Sequence, residues 1–284
     1  MQEPESQLAA KGSPFEPAGP LPQTQAAGGI RSLYDLTGRS ALVTGGSRGL
    51  GLAIAQTLAR AGARVAIVAR RREWLDPAAQ QLAEAGFEPL AVAADVADPE
   101  QVADLVARVE RWCGRLDIVV SAAGVSWGAP SLEMPVEQFR RVLDVNVTGT
   151  YLVAREAARI MRRAGYGKIV AISSVVAFRG QPAELLDAVG YTASKGAVVA
   201  LVRDLAAKWG PWGIRVNALA PGFVPTRMSS AVIARSEERL VAATPLGRLG
   251  TAADICGPAL FLCAPASDFV TGQVLVVDGG MSAW

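Results

Sequence analysis

Short apolar segments alternate with longer segments of helical periodicity from Ser32 to the end of the chain. The helical segments include residues 49–61, 99–112 and 136–164, and another that begins near Tyr191. The short segments are mostly apolar at consecutive positions, which is typical of parallel strands that helices cover on both faces. We interpret as strands the segments 41–44, 64–69, 90–94, 116–120, 168–172, 214–218 and 274–277.

This alternation predicts one domain over residues 32–284, an α/β fold with a doubly wound, seven-stranded parallel sheet and helices on both faces. Residues 1–31 are rich in proline and glycine and have no apolar periodicity, so we expect a disordered tail there. The tail lacks the basic start and apolar core of a secretory signal. It has acidic residues but no arginine before Arg31, which argues against a mitochondrial presequence.

The composition excludes several classes of protein. A net charge of +2 over 284 residues does not favour a nucleic-acid surface. The three cysteines have no metal-ligand spacing, so we expect no metal site, reduced thiols and a cytoplasmic location. The chain has no histidine, which excludes a Ser-His-Asp triad and a Cys-His pair. Proton chemistry must therefore use tyrosine, lysine, a carboxylate or water.

A glycine-rich turn lies between the first predicted strand and the first long helix. Glycines in this place let backbone amides approach a pyrophosphate at the helix N-terminus. The alternative is a turn that needs glycine only for tight packing of helix on strand. The candidate cofactor-binding residues of the turn are Gly45, Ser47, Arg48, Gly49, Leu50 and Gly51.

The end of the second strand discriminates between nicotinamide cofactors. A site for a free ribose 2′-hydroxyl usually has an acidic residue there, but this chain has Arg70 and Arg71. Together with Arg48, these guanidinium groups suit a 2′-phosphate, so NADP(H) is favoured over NAD(H). The alternative is that the arginines form only the solvated start of a helix.

Tyr191 and Lys195 are four residues apart in a predicted helix, so both side chains lie on one face. A phenol ionises near pH 10, and a neighbouring ammonium group favours the phenolate. Such a pair suits proton transfer to or from a substrate. Taken alone, a Tyr-x-x-x-Lys motif is more often a coincidence.

Several motifs together resemble the short-chain dehydrogenase/reductase family, from about Leu33 to the C-terminus. The resemblance implies a Rossmann fold and a catalytic tetrad of Asn146, Ser174, Tyr191 and Lys195. The motifs, in chain order, are Thr44-Gly45-x-x-x-Gly49-x-Gly51, Asp95-Val96, Asn146, Ser174, Tyr191-x-x-x-Lys195 and Pro221-Gly222.

The resemblance also implies roles for these residues. Ser174 and Tyr191 would hold the substrate carbonyl oxygen. Lys195 would bind the nicotinamide ribose and lower the pKa of Tyr191, and Asn146 would hold a water molecule for proton relay. Further cofactor contacts are expected from adenine-binding and nicotinamide-binding segments, comprising Asp95, Val96, Ala122, Ala123, Gly124, Tyr191, Lys195, Pro221, Gly222, Val224 and Thr226.

Two features depart from the family pattern. The chain has Ser121-Ala122-Ala123-Gly124 where relatives commonly have Asn-Asn-Ala-Gly, so a side-chain hydrogen bond is expected to be lost. Ser174 lies 17 residues before Tyr191, a few more than usual. The extra residues fall within 181–189, which would border the substrate pocket.

The substrate is less well defined by sequence. The segment after the fourth strand is similar to the branch of 3-oxoacyl reductases and gluconate or polyol 5-dehydrogenases. Trp127 and the apolar segment 175–178 indicate a partly hydrophobic pocket, although Trp127 fits equally well packed under residues 133–139. Residues 227–241 would form a lid, and its arginines, Arg227, Arg235 and Arg239, suit either an acidic substrate or carrier or plain solvation.

A 3-oxoacyl-type substrate is therefore favoured, with a sugar or polyol as the alternative. A different class of function is a non-catalytic NADP(H)-binding regulator or scaffold, which need not retain all four tetrad residues. The resemblance further implies a homotetramer that packs through the long helices after strands four and five and through residues 274–284. No nucleic-acid or membrane partner is expected.

Overall fold

The computed structural model describes residues 29–283, and most of the predicted tail, residues 1–28, lies outside the described residues. The last residues of that predicted tail contribute to α1 (Gly29–Ser32), a single helical turn. Leu33 follows it, and the carbonyl oxygen of Leu33 accepts a hydrogen bond of 2.9 Å from the amide of Ala266. The start of the described chain is thus tied to its C-terminal third.

The predicted sheet is confirmed. Seven parallel strands are hydrogen-bonded in the order β3-β2-β1-β4-β5-β6-β7. Every predicted strand is present, with ends that shift by at most a few residues. The strands are β1 (Ser40–Thr44), β2 (Arg64–Ala69), β3 (Leu90–Ala93), β4 (Ile118–Ser121), β5 (Gly167–Ile172), β6 (Ile214–Pro221) and β7 (Val274–Val277).

Helices cover both faces of this sheet, as predicted. Alternate residues of β1 point to opposite faces, so Leu42 packs in one core cluster and Ala41 and Val43 in the other. The first cluster includes α4, α6 and α7, and the second includes α2, α3 and α9. The helices after α1 are α2 (Gly49–Arg60), α3 (Arg72–Glu84), α4 (Pro99–Cys113), α5 (Val136–Leu143), α6 (Gly149–Ala164), α7 (Val189–Trp209), α8 (Ser230–Ala242) and α9 (Ala252–Cys263).

The structure divides one predicted helix. Residues 136–164 form α5 and α6 with a π-helical turn, Asp144–Thr148, between them. In this turn the amide of Gly149 donates to the carbonyl oxygen of Asp144, five residues earlier. Such widened turns are rare and occur often at functional sites. This one contains Asn146.

The order of the strands leaves a crevice at the carboxyl ends of β1 and β4. The chain proceeds outward from β1 through β2 to β3, then crosses back to β4 on the other side of β1. The loops that follow β1 and β4 therefore run in opposite directions and leave a crevice between them. In open α/β sheets, ligands bind in this crevice.

Candidate active site

A cavity of about 760 Å³ follows the carboxyl ends of the strands. Its walls contain every residue that the sequence nominated for cofactor binding, and three members of the predicted tetrad. We call one part the arginine end, formed by Arg48, Arg71, Trp74 and Arg227. We call the other part the tyrosine end, formed by Ser174, Tyr191, Lys195 and the apolar side chains around them.

The glycine turn suits close approach of a ligand to the backbone. Gly45 has φ of 67°, and a Cβ atom there would lie 2.7 Å from the carbonyl oxygen of Ala122. A Cβ on Gly51 would collide with the carbonyl oxygen of Gly45. Arg48, at the N-cap of α2, makes no side-chain hydrogen bond to the helix, so the first amides of α2 remain available. This arrangement fits the pyrophosphate of a dinucleotide.

The nominated arginines differ in their surroundings. Arg70 forms an ion pair of 3.5 Å with Asp95, and both side chains are partly exposed. Arg71 pairs at 3.3 Å with Glu73 on the surface. Arg48 forms no ion pair with any residue in 29–283, and its guanidinium lies 5.0 Å from the ring centroid of Trp74. Burial, and then the charges of Arg227 and Arg71, lower the pKa of Arg48.

Two residues of the arginine end were not nominated as cofactor-binding from the sequence. Trp74 lies in the first turn of α3, and Arg227 lies just before α8, with its guanidinium 4.9 Å from the Trp74 ring centroid. The sequence assigned Arg227 to the lid and left open what it meets. Trp74 could have been nominated from the sequence, because it is an aromatic residue only a few positions after the second strand.

At the tyrosine end, α7 presents Tyr191 and Lys195 one turn apart, as predicted. The ammonium group of Lys195 lies 5.4 Å from the Tyr191 ring centroid and donates a 2.8 Å hydrogen bond to the carbonyl oxygen of Ile172. Ser174 follows β5 and is only 8% exposed. Strand β5 and helix α7 thereby bring the three side chains to one wall of the cavity.

The pKa values of this group differ in part from expectation. Burial raises the pKa of Tyr191, while a hydrogen bond with Ser174 opposes the rise. The net direction is opposite to the lowering expected from Lys195, because the loss of hydration on burial outweighs the hydrogen bond with Ser174. Burial also lowers the pKa of Lys195 to about 8. Tyr191 is thus a protonated phenol at neutral pH.

Asn146 is the one tetrad member that does not line the cavity. Its side-chain oxygen accepts from the amide of Val125 at 2.8 Å, and its amide nitrogen donates to the carbonyl oxygen of Val125 and to Ser194 Oγ. The side chain thus joins the loop after β4 to α7 through the π-helical turn. This is a positioning role, and the water relay expected of Asn146 stays a prediction.

Two buried serines at the carboxyl ends of β4 and β5 differ in their hydrogen bonding. Ser173 Oγ donates to the carbonyl oxygen of Lys195 at 2.9 Å, which ties β5 to α7. Ser121, the first residue of the departing Ser-Ala-Ala-Gly segment, has a buried hydroxyl without a hydrogen-bond partner among the described residues. The loop keeps its position through Thr44, whose Oγ1 accepts from the amide of Ala123 at 3.2 Å.

The walls around Tyr191 are apolar. Lys195 is the only charged side chain that lines this end among the described residues, since the other charged lining residues surround the arginine end. Phe178 and Trp127 are not in the lining and are each 41% exposed, so the expected contribution of Trp127 to the pocket is wrong. The apolar lining residues are Val175, Val176, Leu186, Phe223, Met228 and Val232.

The extra residues before Tyr191 do border the pocket, as expected, and they bring Leu186 into its lining. The carbonyl oxygen of Asp187 accepts from the amide of Ala129, and that of Glu184 accepts from Ser236 Oγ, each at 3.0 Å. Ser236 lies in α8 at a non-helical position, with φ of −141°. The extra segment therefore joins the loop after β4 to the predicted lid.

Residues 29–283 contain neither a membrane-spanning helix nor a metal-binding cluster. No helix there is long and apolar enough to cross a membrane. No group of three or more histidine, cysteine, aspartate or glutamate residues there is arranged to hold a metal ion.

Comparison with known proteins gives consistent results. A family model described as enoyl-(acyl carrier protein) reductase matches residues 45–282. Gluconate 5-dehydrogenase of Gluconobacter oxydans is 40% identical over 252 residues, which are 88% of this chain and 97% of that protein. A 3-oxoacyl-[acyl-carrier-protein] reductase of Chlamydia muridarum is 36% identical over 248 residues, 87% of this chain and 98% of the other.

Among solved structures, the fold is similar to that of a gluconate 5-dehydrogenase from Burkholderia cenocepacia in complex with NADP and tartrate. The TM-score is 0.84 at 37% sequence identity, over 89% of this chain and 99% of the other.

Proposed function

Because the chain belongs to the short-chain dehydrogenase/reductase family of oxidoreductases, which act on alcohol and ketone groups with a nicotinamide cofactor, we propose that it is an NADP(H)-dependent reductase of 3-oxoacyl-type ketones. The observation that carries the substrate proposal is the apolar wall of the tyrosine end. An acyl chain buries favourably against Val175, Val176 and Leu186. A polyol there would leave most of its hydroxyl groups without partners.

The residues of the tyrosine end divide the chemistry among them. The nicotinamide, when bound, supplies or accepts the hydride. Ser174 holds the carbonyl oxygen by a hydrogen bond, and Tyr191 donates its phenolic proton to that oxygen as negative charge develops. Lys195 binds the ribose hydroxyls and favours the phenolate once the proton has left. Exclusion of water by the apolar wall strengthens these interactions.

The positive charges that line the arginine end support a preference for NADP(H) over NAD(H). Four arginines line this part of the cavity, and the two acidic side chains near them, Asp95 and Glu73, are each paired with one of these arginines. A 2′-phosphate carries the negative charge that such a cluster favours, and guanidinium groups bind it bidentately.

A sugar acid or polyol is the second candidate, and the 40% identity to gluconate 5-dehydrogenase favours it. The tyrosine end gives it less support, because no guanidinium of the described residues lines the wall beside Tyr191, where a sugar carboxylate would need a partner.

A matched panel of ketones tests the proposal. NADPH oxidation is followed by absorbance with an acetoacetyl thioester, with a longer 3-oxoacyl thioester and with 5-ketogluconate. We expect kcat/KM to be highest for the longer thioester, since each added CH₂ that is buried contributes about 0.8 kcal/mol. A higher kcat/KM for 5-ketogluconate would replace the 3-oxoacyl proposal with the sugar one. NADPH binding without turnover of any ketone would favour a regulator or scaffold.

The assembly and location remain proposals. We infer a homotetramer, and β7, which forms one edge of the sheet with partly exposed apolar residues, supports it together with the exposed ring of Tyr151 on α6. Light scattering of the full chain tests it. The cytoplasmic location is supported by three unpaired cysteines, one of them buried.

A further inference from the structure

The lid and the arginine end meet at a single aromatic ring. Arg227 lies in the turn that precedes α8, and Arg48 lies in the glycine turn after β1. Their guanidinium groups are 4.9 Å and 5.0 Å from the ring centroid of Trp74. Each contact has the geometry of a cation–π interaction. Two segments far apart in sequence thus bring like charges to the same indole.

These like charges are poorly compensated. Neither Arg48 nor Arg227 forms an ion pair with any residue in the described part of the chain, whereas Arg70 is paired with Asp95. Besides burial, the charge of Arg227 contributes to the lowered pKa of Arg48. Glu73, which pairs with Arg71, opposes this lowering only in part. A site where arginines outnumber the carboxylates has a favourable place for an anion of matching size.

Side-chain hydrogen bonds hold the turn that carries Arg227, and its neighbours line the cavity. Ser229 Oγ accepts from the amide of Thr226 at 2.9 Å and donates to the carbonyl oxygen of Val224 at 2.6 Å. Met228, the next residue after Arg227, lines the cavity, as does Val232 in the first turn of α8. Arg227, Met228 and Val232 therefore belong to one continuous segment of the cavity wall.

We propose that Arg227 belongs to the 2′-phosphate site, so that NADP(H) bridges Arg48 and Arg227 beside Trp74 and thereby fastens the lid over the substrate pocket. This inference rests on the proposed function for its cofactor. It adds that the lid itself takes part in choosing between NADP(H) and NAD(H). The sequence had assigned the lid arginines to a substrate or to solvent.

Cofactor affinity without turnover tests the site. The dissociation constants of NADPH and NADH are measured by calorimetry for the wild type, for Arg227→Gln and for Arg235→Gln. Arg235 is a matched control, because it is an exposed arginine of α8 outside the cavity. Loss of a charge-assisted contact should weaken NADPH about tenfold in Arg227→Gln and leave NADH unchanged. Arg235→Gln should match the wild type for both.

Hydrogen exchange of the α8 amides tests the fastening. In the wild type, NADPH should protect residues 230–242 more than saturating NADH does, and Arg227→Gln should remove the difference. Equal protection by both cofactors in the wild type would overturn the fastening. Equal weakening of both cofactors by Arg227→Gln, or no weakening, would overturn the assignment of Arg227. If the wild type binds neither cofactor, the proposed function itself fails, which is a distinct result.

Discussion

The two ends of the cavity use opposite electrostatic environments. The arginine end is open to solvent, since Trp74 is 39% exposed and Arg48, Arg71 and Arg227 are exposed residues. The tyrosine end is enclosed, with Lys195 only 5% exposed among apolar side chains. Solvent screens the first set of charges, whereas burial shifts the pKa of both Tyr191 and Lys195. The proposed sites of phosphate recognition and of proton transfer thus differ in their degree of hydration.

The largest effect should follow from removal of the phenol at the tyrosine end. Tyr191→Phe keeps the ring and loses the acid, so we expect kcat for ketone reduction to fall about 10²–10⁴-fold. The dissociation constant of NADPH should stay unchanged, because the arginine end is intact. Tyr166→Phe is the matched control, since Tyr166 lies in another part of the molecule, near Asp268 and Arg39. A Tyr191→Phe enzyme with normal kcat would contradict the assignment.

A smaller effect is expected from matched changes at the arginine end. Arg48→Gln removes an arginine that has no acidic partner, and it should weaken NADPH about tenfold or more. Arg70→Gln removes one that is paired with Asp95 and should weaken NADPH less. Calorimetric titration gives both dissociation constants, and NADH provides the control for each variant. An equal or larger loss in Arg70→Gln would assign the 2′-phosphate to the end of β2 instead.

The smallest effect is a pH dependence. Burial lowers the pKa of Lys195 from 10.5 to about 8, so its ammonium group loses its charge as the pH rises through 8. If its ammonium group binds the ribose, NADPH affinity should fall by up to about tenfold between pH 7 and pH 9. Lys195→Arg keeps the charge and should remove this step. An NADPH affinity that stays constant up to pH 9.5 in the wild type would contradict the proposed contact between Lys195 and the ribose.

Deprotonation of Lys195 should change the stability of the protein in the opposite direction to its effect on NADPH affinity. Between pH 8 and 10.5 the unfolded chain binds more protons at this lysine than the folded protein does, so the contribution of Lys195 to the free energy of unfolding rises with pH there. Thermal unfolding over this range therefore separates loss of cofactor affinity from loss of structure.

Much of the fold was predictable from local pattern. The strands follow from short apolar segments, and Tyr191 and Lys195 share a face because a helix repeats every 3.6 residues. The glycine turn was predicted from its place between a strand and a helix, and the structure supplies the reason, since Cβ atoms at positions 45 and 51 would have no room. Two elements were less predictable. The π-helical turn at 144–148 has no distinct periodicity, and α9, with Gly257 and Pro258 in its interior, was not among the helical segments interpreted.

The sequence by itself determined the order of the strands and helices along the chain, the glycine turn and the shared helix face of Tyr191 and Lys195, because each depends on spacing along the chain. Only the tertiary structure decided that Asn146 supports Val125 instead of lining the cavity, and that Arg227 meets Arg48 at Trp74. It also decided that burial raises the pKa of Tyr191. Contacts between distant segments and the loss of hydration depend on how the elements pack, which no local pattern records.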